Sequence, residues 1–204
     1  MGNSVKPISN EKTEASVYGM DDSPRGKLLS AAARLFRDQG FDRTTVRDIA
    51  REVGLQSGSI FHHFATKEDI LHAVMEEVIA FNTARLREAL VGLTCPTEKL
   101  RALVRSELQF IVGDTREAMT VLVYEWRCLS PEKQRATLAL RDKYEQIWLT
   151  VLEELAQTGC VSTQPFVARR LITGMTSWTN AWFDQAGDFT LDDLADVIVR
   201  HTCC

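Results

Sequence analysis

The chain has 204 residues, 45% of them apolar and 25% charged, so it can bury one sizeable core or carry a small domain on a larger one. No apolar run approaches the roughly 20 residues of a membrane helix, and residues 1–22 contain no apolar segment typical of a signal peptide. Five cysteines without CxxC spacing favour reduced thiols over a disulfide framework or a zinc site. We therefore expect a cytoplasmic protein that uses no metal, no cofactor and no membrane.

Charge is distributed unevenly along the chain. The net charge of −4 argues against a nucleic-acid-binding protein, but residues 23–67 contain eight basic and four acidic side chains, a local net charge of +4. A basic segment on an acidic remainder is expected where attraction to phosphate is confined to one face. Ordinary solvated helix faces would give the same numbers, so charge alone does not decide between the two interpretations.

The chain begins with a polar stretch of mixed charge, and we predict a disordered arm over residues 1–22. Ser23 and Pro24 then predict the start of a helix, with serine as the N-cap and proline at the first helical position. Apolar residues recur at helical spacing up to Gly40, which is expected to end this helix.

The next stretch has the pattern of two short helices that meet at a glycine. Thr45 is a favourable N-cap, and an apolar stripe follows it until Gly54, which suits the left-handed conformation of a helix end. Leu55 is then expected to lie between the two helices as an apolar plug. The second helix would bury Ile60 and Phe64 and direct small and hydroxyl-bearing residues outward, which lets a helix approach a DNA duplex closely.

A long helix is predicted to follow. Thr66 and Asp69 form a capping-box pattern that opens it, and its periodicity extends to about Leu90. Lys67 lies in the first turn, where its charge and the positive helix end together favour a phosphate; the alternative is an ordinary surface lysine. Because this helix continues from the basic segment into the rest of the chain, we expect it to act as a lever between the two parts.

Helical periodicity then continues to the end of the chain. The predicted helices cover residues 98–112, 115–129, 130–157, 165–183 and 190–204, and no segment between them has the alternation of a strand. The breaks between them are short. The pattern therefore predicts an all-α fold whose larger part is a helical bundle.

The helix predicted for residues 165–183 is apolar on nearly every side, around a line of small residues. A helix of this kind must be covered all round, and a single core covers only one face, so we expect a second copy of the chain to cover the rest. The last helix would complete the interface, in which two helix pairs meet about a two-fold axis. The predicted interface residues are Gly174, Ser177, Ala181, Trp182, Leu194 and Ile198.

The segments LLSAAARLF and GFDRTTVRDIAREVGLQSGSIFHHFATKEDIL resemble, without gaps, the N-terminal DNA-binding domain of the TetR family of transcriptional repressors. The resemblance implies a three-helix helix-turn-helix domain in residues 23–71 and a helical-bundle domain for ligand binding and dimerisation in residues 72–204. Gln56 replaces the family's usual capping serine, and Phe61 replaces a tyrosine whose hydroxyl binds a DNA phosphate. The DNA-binding residues that the resemblance implies are Thr45, Arg47, Ser57, Gly58, Ser59, Phe61, His62, His63 and Lys67.

Four tryptophans and several other aromatic residues lie in the predicted body helices. A well-filled core would explain each of them singly, whereas the TetR-like bodies that this chain resembles bind inducers inside the bundle. The candidate ligand-binding residues are Phe110, Met119, Val123, Trp126, Tyr144, Trp148, Met175 and Trp178.

The segment YEWRCLSPEKQRATLALRDKYEQIW is similar to the corresponding segment of TetR-type repressors that respond to acyl-CoA thioesters. Such an effector needs an apolar slot and cations for its phosphates. The alternatives are a neutral hydrophobic inducer, as in regulators of efflux pumps, and salt bridges within the chain for each arginine. The candidate cations are Arg105, Arg127, Arg141, Arg169 and Arg170.

These observations together predict a ligand-responsive repressor. As a dimer it would bind double-stranded DNA at a near-palindromic operator, with its recognition helices about one DNA turn apart, and a small hydrophobic effector would release it. An enzyme is disfavoured because His62 and His63 project about 100° apart on a helix and no nucleophile motif or phosphate-binding glycine loop is present. A dimeric ligand-binding protein with weak DNA binding stays open, because Phe61 lacks the hydroxyl and the local charge is modest.

Overall fold

The structure, a computed structural model, describes residues 23–113 and 115–203. Within them it contains ten α-helices and no β-strand, which confirms the all-α fold class. The predicted arm at residues 1–22 and the terminal Cys204 lie outside the described residues. Among the helices described, none is both long and apolar enough to cross a membrane. The helices are α1 (Pro24–Gln39), α2 (Val46–Glu52), α3 (Ser57–Phe61), α4 (Lys67–Ala89), α5 (Pro96–Val112), α6 (Arg116–Tyr124), α7 (Pro131–Gln157), α8 (Pro165–Ser177), α9 (Thr179–Trp182) and α10 (Leu191–Thr202), with a 3-10 turn at Trp126–Cys128.

The starts of three helices are fixed by the capping residues that the sequence predicted. The Ser23 hydroxyl accepts a hydrogen bond from the amide of Gly26 at 3.0 Å, which caps α1. Thr45 and Thr66 begin α2 and α4 with capping boxes, in which the hydroxyl and a downstream carboxylate bond each other's backbone amides. These bonds satisfy amide groups that a helix leaves unpaired at its start.

The turn between α2 and α3 depends on Gly54, whose φ of 69° lies in the left-handed region. The amide of Leu55 then donates to the carbonyl of Ala50 at 2.8 Å and closes the turn. The prediction that Leu55 is a buried plug is wrong, because the closed turn leaves 41% of this residue exposed. Ile60 and Phe64, the predicted inner side of the second helix, are buried.

The described residues form two buried cores. The first joins α1, α2, α3 and the first half of α4, with Phe36, Ile49 and Ile60 fully buried. The second joins α5, the end of α7, α8 and α10 around the fully buried Trp148. No one of these helices buries enough surface to be stable alone, so each core holds its helices together.

The first core extends beyond the boundary predicted at residue 71. Val74 and Val78 of α4 belong to it, and so do Ala118 and Val121 of α6, which packs against α1. The N-terminal unit is therefore continuous with one helix of the body.

The helix predicted for residues 165–183 is interrupted at Trp178, which separates α8 from α9. Near the break, the hydroxyl of Thr179 donates to the backbone carbonyl of Met175 at 3.4 Å. Such bonds compete with the helical ladder and favour a break. The expectation that this segment is apolar all round also fails, because the side of α8 facing the core carries the buried Arg169.

Gly54 and Gly58, in and just after the turn between α2 and α3, make a matched pair for testing backbone strain. Gly54→Ala is expected to lower the free energy of unfolding by about 1 kcal/mol, because alanine is strained at a positive φ even though space is open there. Gly58 has an ordinary φ and open space, so Gly58→Ala is expected to leave the free energy unchanged or raise it slightly. Urea denaturation of both variants measures the difference, and equal values for the two would contradict the role of Gly54.

Candidate functional site

The outer surface of α3 carries most of the side chains predicted to contact DNA. Ser57, at the start of the helix, is half-buried. The exposed predicted residues of this segment are Gly58, Ser59, Phe61, His62 and His63. Since Ile60 and Phe64 anchor the opposite side in the core, the helix is held with this face toward solvent.

Gly58 makes the surface of α3 flat. A Cβ built at this position would meet no atom within 4 Å, so packing within the chain does not require glycine. Its backbone conformation does not require glycine either. What the residue provides is access to the helix backbone from outside, which suits close approach of a duplex.

Thr45 and Arg47 lie at the start of α2, beside this face. The Thr45 hydroxyl donates to the Asp48 carboxylate at 2.6 Å, and the bonds from Thr45 hold the pKa of Asp48 below its ordinary value. Asp48 also pairs with Arg51. Arg47 is exposed and has no ion-pair partner among the described residues, so its guanidinium is open to a phosphate.

Lys67 makes different contacts from those expected. Its ammonium group donates to the carbonyls of Phe41 at 2.6 Å and Thr44 at 2.8 Å, with a longer bond to Asp42 at 3.4 Å. It also lies 4.1 Å from the centroid of the Phe41 ring. An ammonium group has three donors, so a free phosphate-binding lysine is the wrong description. Lys67 instead closes the loop between α1 and α2.

A cavity of about 350 Å³ lies in the body, a volume typical of a site for a small organic ligand. Helices α4, α5, α6, α7 and α8 form its walls, and α9 contributes one residue. Its apolar lining consists of Ile79, Ile111, Met119, Leu122, Val123 and Trp126. Its polar lining includes Asn82, Glu107, Tyr144, Glu145, Arg169 and Asn180.

A buried ionic cluster forms the polar wall of this cavity. Arg169 donates to both carboxylate oxygens of Glu107, at 3.1 and 2.7 Å, and to both oxygens of Glu145, at 3.1 Å each. The hydroxyls of Tyr144 and Thr176 also donate to Glu107, at 2.9 and 2.7 Å. The guanidinium carbon of Arg169 lies 4.1 Å from the centroid of the Trp148 ring. The cluster therefore ties α5, α7 and α8 together.

Charge states in the cluster follow from burial and neighbours. Burial alone would lower the pKa of Arg169, but the charge and hydrogen bonds of Glu107 outweigh it and raise that pKa above its ordinary value. Burial, and then the negative charge of Glu107, raise the pKa of Tyr144 well above its ordinary value. Arg169 thus stays charged and Tyr144 neutral at physiological pH.

The predicted ligand-binding residues separate into two sets. Met119, Val123, Trp126 and Tyr144 line the cavity. The other four lie elsewhere, because Trp148 fills the second core and Phe110 borders a separate surface groove. Met175 and Trp178 are exposed, Trp178 to 70%, and belong to the outer face of the α8 and α9 segment.

The five candidate arginines differ in their ion pairs and in their position relative to the cavity. Arg169 is saturated by its carboxylates, and Arg105 pairs with Asp192 at 3.1 Å outside the cavity. Arg127 is exposed in the 3-10 turn. Arg141 and Arg170 are exposed, line the cavity and form no ion pair among the described residues.

Profiles of known protein families match both parts of the chain. The one described as bacterial regulatory proteins of the tetR family matches residues 28–74. The one described as the C-terminal domain of tetracyclin repressor-like proteins matches residues 93–203, more than half of the chain. The chain belongs to the TetR family of transcriptional regulators. The resemblance seen in the sequence is confirmed.

Individual relatives of this TetR-family chain cover most of its length. The HTH-type transcriptional repressor KstR2 of Mycolicibacterium smegmatis is 31% identical over 178 residues, which cover 84% of this chain and 85% of that protein. Among solved structures, the superantigen PfiT is 54% identical, with a TM-score of 0.78 and coverage of 89% of this chain and 97% of that one. AibR in complex with isovaleryl coenzyme A and operator DNA is 24% identical, with a TM-score of 0.76 and coverage of 85% and 95%, and shows the fold alone.

The dimer interface predicted from the apolar pattern of the last two helices is only partly open in a single chain. Gly174, Ser177, Ala181 and Trp182 are exposed. Leu194 and Ile198 are only 8% and 3% exposed, because α10 packs these side chains into the second core of its own chain. The prediction that these two residues face a partner is wrong.

Two buried polar residues of the cavity lining, Glu107 and Asn82, are not among the site residues predicted from the sequence. Glu107 lies in the apolar stripe of α5 between Val104 and Leu108. A charged residue at a buried helical position could therefore have identified it from the sequence. Asn82 has the same signal in α4, where Val78, Ile79 and Leu86 are buried. A buried charge or amide in an apolar stripe needs partners from other helices, which the local pattern does not identify.

The ionic cluster can be tested by comparing the loss of one charge with the loss of one hydroxyl. Glu107→Gln is expected to lower the free energy of unfolding by about 3 kcal/mol, since it removes a carboxylate while keeping its shape and leaves Arg169 undercompensated. Tyr144→Phe removes one hydrogen bond and is expected to cost about 1 kcal/mol. Urea denaturation at neutral pH measures both, and similar losses would refute a dominant role for the charge.

Proposed function

We propose that this TetR-family chain is a ligand-responsive repressor that binds a near-palindromic operator as a dimer and is released by a small amphipathic effector. Residues 23–71 bind DNA in this proposal, and residues 72–204 bind the effector and the second subunit. The single observation that carries the proposal is the position of α6, which packs against α1 on one side and lines the cavity on the other.

The DNA-binding part of the proposal assigns the exposed face of α3 to the major groove. Gly58 and Ser59 allow close approach, and Arg47 contributes a positive charge to a phosphate. Lys67 acts by holding the α1–α2 loop in place rather than by binding DNA directly. Phe61 is exposed and offers the duplex an apolar ring in place of a hydroxyl.

The dimer part rests on an exposed apolar face of α8 and α9. Large apolar side chains lie there in the open, and contiguous apolar surface of this kind is typical of association sites. The occupant we propose is a second copy of the chain, because a two-fold pair would cover the same face on both subunits and would space two recognition helices along DNA. The residues of this face are Phe166, Val167, Leu171, Met175, Trp178 and Trp182.

The effector part rests on the two-sided lining of the cavity. An apolar portion would lie against Met119, Val123 and Trp126, and an anionic portion would reach the unpaired Arg141 and Arg170. An acyl-CoA thioester has this chemistry, with its acyl group inside and its phosphates at the arginines. AibR, which has the same fold, has been solved with such a ligand. A neutral hydrophobic compound would use only the apolar side and is the competing proposal.

The effector would act through α4 and α6, because both contribute to the cavity and to the first core. Movement of these helices would shift the two DNA-binding units out of register with the operator. Only the difference in effector affinity between the two states can drive this shift, and typical coupling is about 1–3 kcal/mol.

The proposed function is tested by a gel-shift assay with a palindromic fragment from upstream of the chain's own gene. We expect salt-sensitive binding that 3-hydroxydecanoyl-CoA releases and 1-decanol does not, since both carry a hydroxyl but only the thioester has an anionic portion for the arginines. Release by the uncharged compound alone would favour the efflux-type regulator. Absence of DNA binding even at low salt would favour a ligand-binding protein without a regulatory role.

The same assay tests the recognition face. Gly58→Leu is expected to weaken operator binding by about tenfold or more, because the added side chain holds the helix backbone away from base edges. Gly58→Ala serves as a graded control with a smaller loss. Thermal unfolding of Gly58→Leu is expected to match the wild type, since the position is open within the chain. Unchanged operator affinity in the leucine variant would remove α3 from the interface.

Dimerisation is tested by placing a charge on the exposed apolar face. Leu171 is 60% exposed, so Leu171→Glu is expected to keep the fold and convert the dimer to a monomer in light scattering after size-exclusion chromatography. Val91→Glu is the matched control, because Val91 is exposed in the loop after α4 and lies off this face. A Leu171→Glu protein that stays dimeric would show that the subunits meet elsewhere.

A further inference from the structure

Asn82 lies on α4 in the wall of the cavity and is only 2% exposed. Its neighbours in the lining include Ile79, Met119 and Leu122, so its amide is a polar group in mostly apolar surroundings. A buried amide of this kind is costly unless its donors and acceptor are paired.

Only one side of the Asn82 amide is paired within the chain. The Nδ2 group donates to the Met119 sulfur at 3.1 Å. The Oδ1 atom is buried and has no hydrogen-bond partner among the described residues. Two other buried side-chain nitrogens share this condition, those of His72 and Trp148, but neither residue lines the cavity.

The polar side chains across the cavity do not supply the missing donor. Tyr144 donates its hydroxyl hydrogen to Glu107. Arg169 directs its four hydrogen bonds to Glu107 and Glu145. Arg141 is exposed at the mouth. Asn82 Oδ1 therefore has no donor among the described residues, and a molecule that enters the cavity lined by Asn82 could supply one.

We propose that the effector of this cavity carries a hydroxyl group within its apolar portion and that this hydroxyl donates a hydrogen bond to Asn82 Oδ1. This inference rests on the proposed function of the cavity as an effector site. It makes Asn82 a specificity-determining residue that separates hydroxylated amphipathic molecules from their deoxy or ether counterparts. A site that offers a buried acceptor discriminates strongly against a ligand without the donor, because the acceptor is then left unpaired.

The test compares 1-octanol with 1-methoxyheptane, which has the same atoms but accepts hydrogen bonds without donating them. In titrations followed by thermal shift and by intrinsic tryptophan fluorescence, to which Trp126 of the lining contributes, we expect the wild-type protein to bind the alcohol about tenfold more tightly. In Asn82→Leu, which keeps the side-chain shape, the two probes are expected to bind equally. Asn180→Leu is the matched control, since Asn180 lines the cavity but is exposed, and this variant is expected to keep the preference.

The outcomes separate this inference from the proposed function. Equal affinity of the two probes for the wild-type protein overturns the inference, as does failure of 1-octanol to bind or a preference that persists in Asn82→Leu. The wild-type comparison needs no variant, so it stands even if Asn82→Leu folds poorly. None of these titrations contains DNA, so the loss of operator binding in the gel-shift assay would refute the regulator without affecting them.

Discussion

The packing of α6 between two environments is the constraint on which the rest of the structure depends. Ala118 and Val121 lie in the core that holds α1 in place, while Met119 and Val123 line the cavity. Protein cores are close-packed, so a shift of α6 toward either side displaces what it touches on the other. The ion pair between Arg37 of α1 and Glu117 of α6, at 2.7 Å, adds a charged contact at the same boundary. Two further contacts join α7 to the start of α4. The Lys133 ammonium pairs with the Asp69 carboxylate at 2.6 Å, and the Ser130 amide donates to the Glu68 carboxylate at 2.7 Å.

The cavity has one wall of mutually paired charged side chains and one buried amide oxygen, that of Asn82, without a hydrogen-bond partner among the described residues. The guanidinium of Arg169 directs its hydrogen bonds to the carboxylates of Glu107 and Glu145. This wall therefore holds three helices together but has little capacity to bind a further anion. Buried charges of this kind stabilise a structure only when every partner is present. Asn82 is different because its buried oxygen has no hydrogen-bond partner among the described residues. In the proposed effector site, recognition would therefore depend on the unpaired groups of the lining rather than on its most strongly charged cluster.

Features governed by local chemistry could be predicted from the sequence. The capping residues Ser23, Thr45 and Thr66 begin helices where expected, since a cap acts within three residues of itself. The all-α fold and the outward face of α3 follow from helical periodicity.

Features that depend on distant contacts could not be predicted in this way. Periodicity gives the apolar side of α10 but not its partner, so Leu194 was placed in an interface and lies in its own core. The loop carbonyls that occupy Lys67 are more than twenty residues away in sequence. Leu55 is exposed because the backbone bond to Ala50 sets the course of the turn.

The ammonium group of Lys67 has a mechanical consequence. By joining the first turn of α4 to the carbonyls of Phe41 and Thr44, it fastens the loop before α2 to the same helix that enters the body. In the proposed response to an effector, the segment from α1 to α3 would then move together with α4. In the proposed dimer, the distance between the two DNA-binding units would therefore be the quantity that changes when an effector enters the cavity. That distance would decide whether both half-sites of an operator are bound at once. Each DNA-binding unit would keep its own affinity for one half-site.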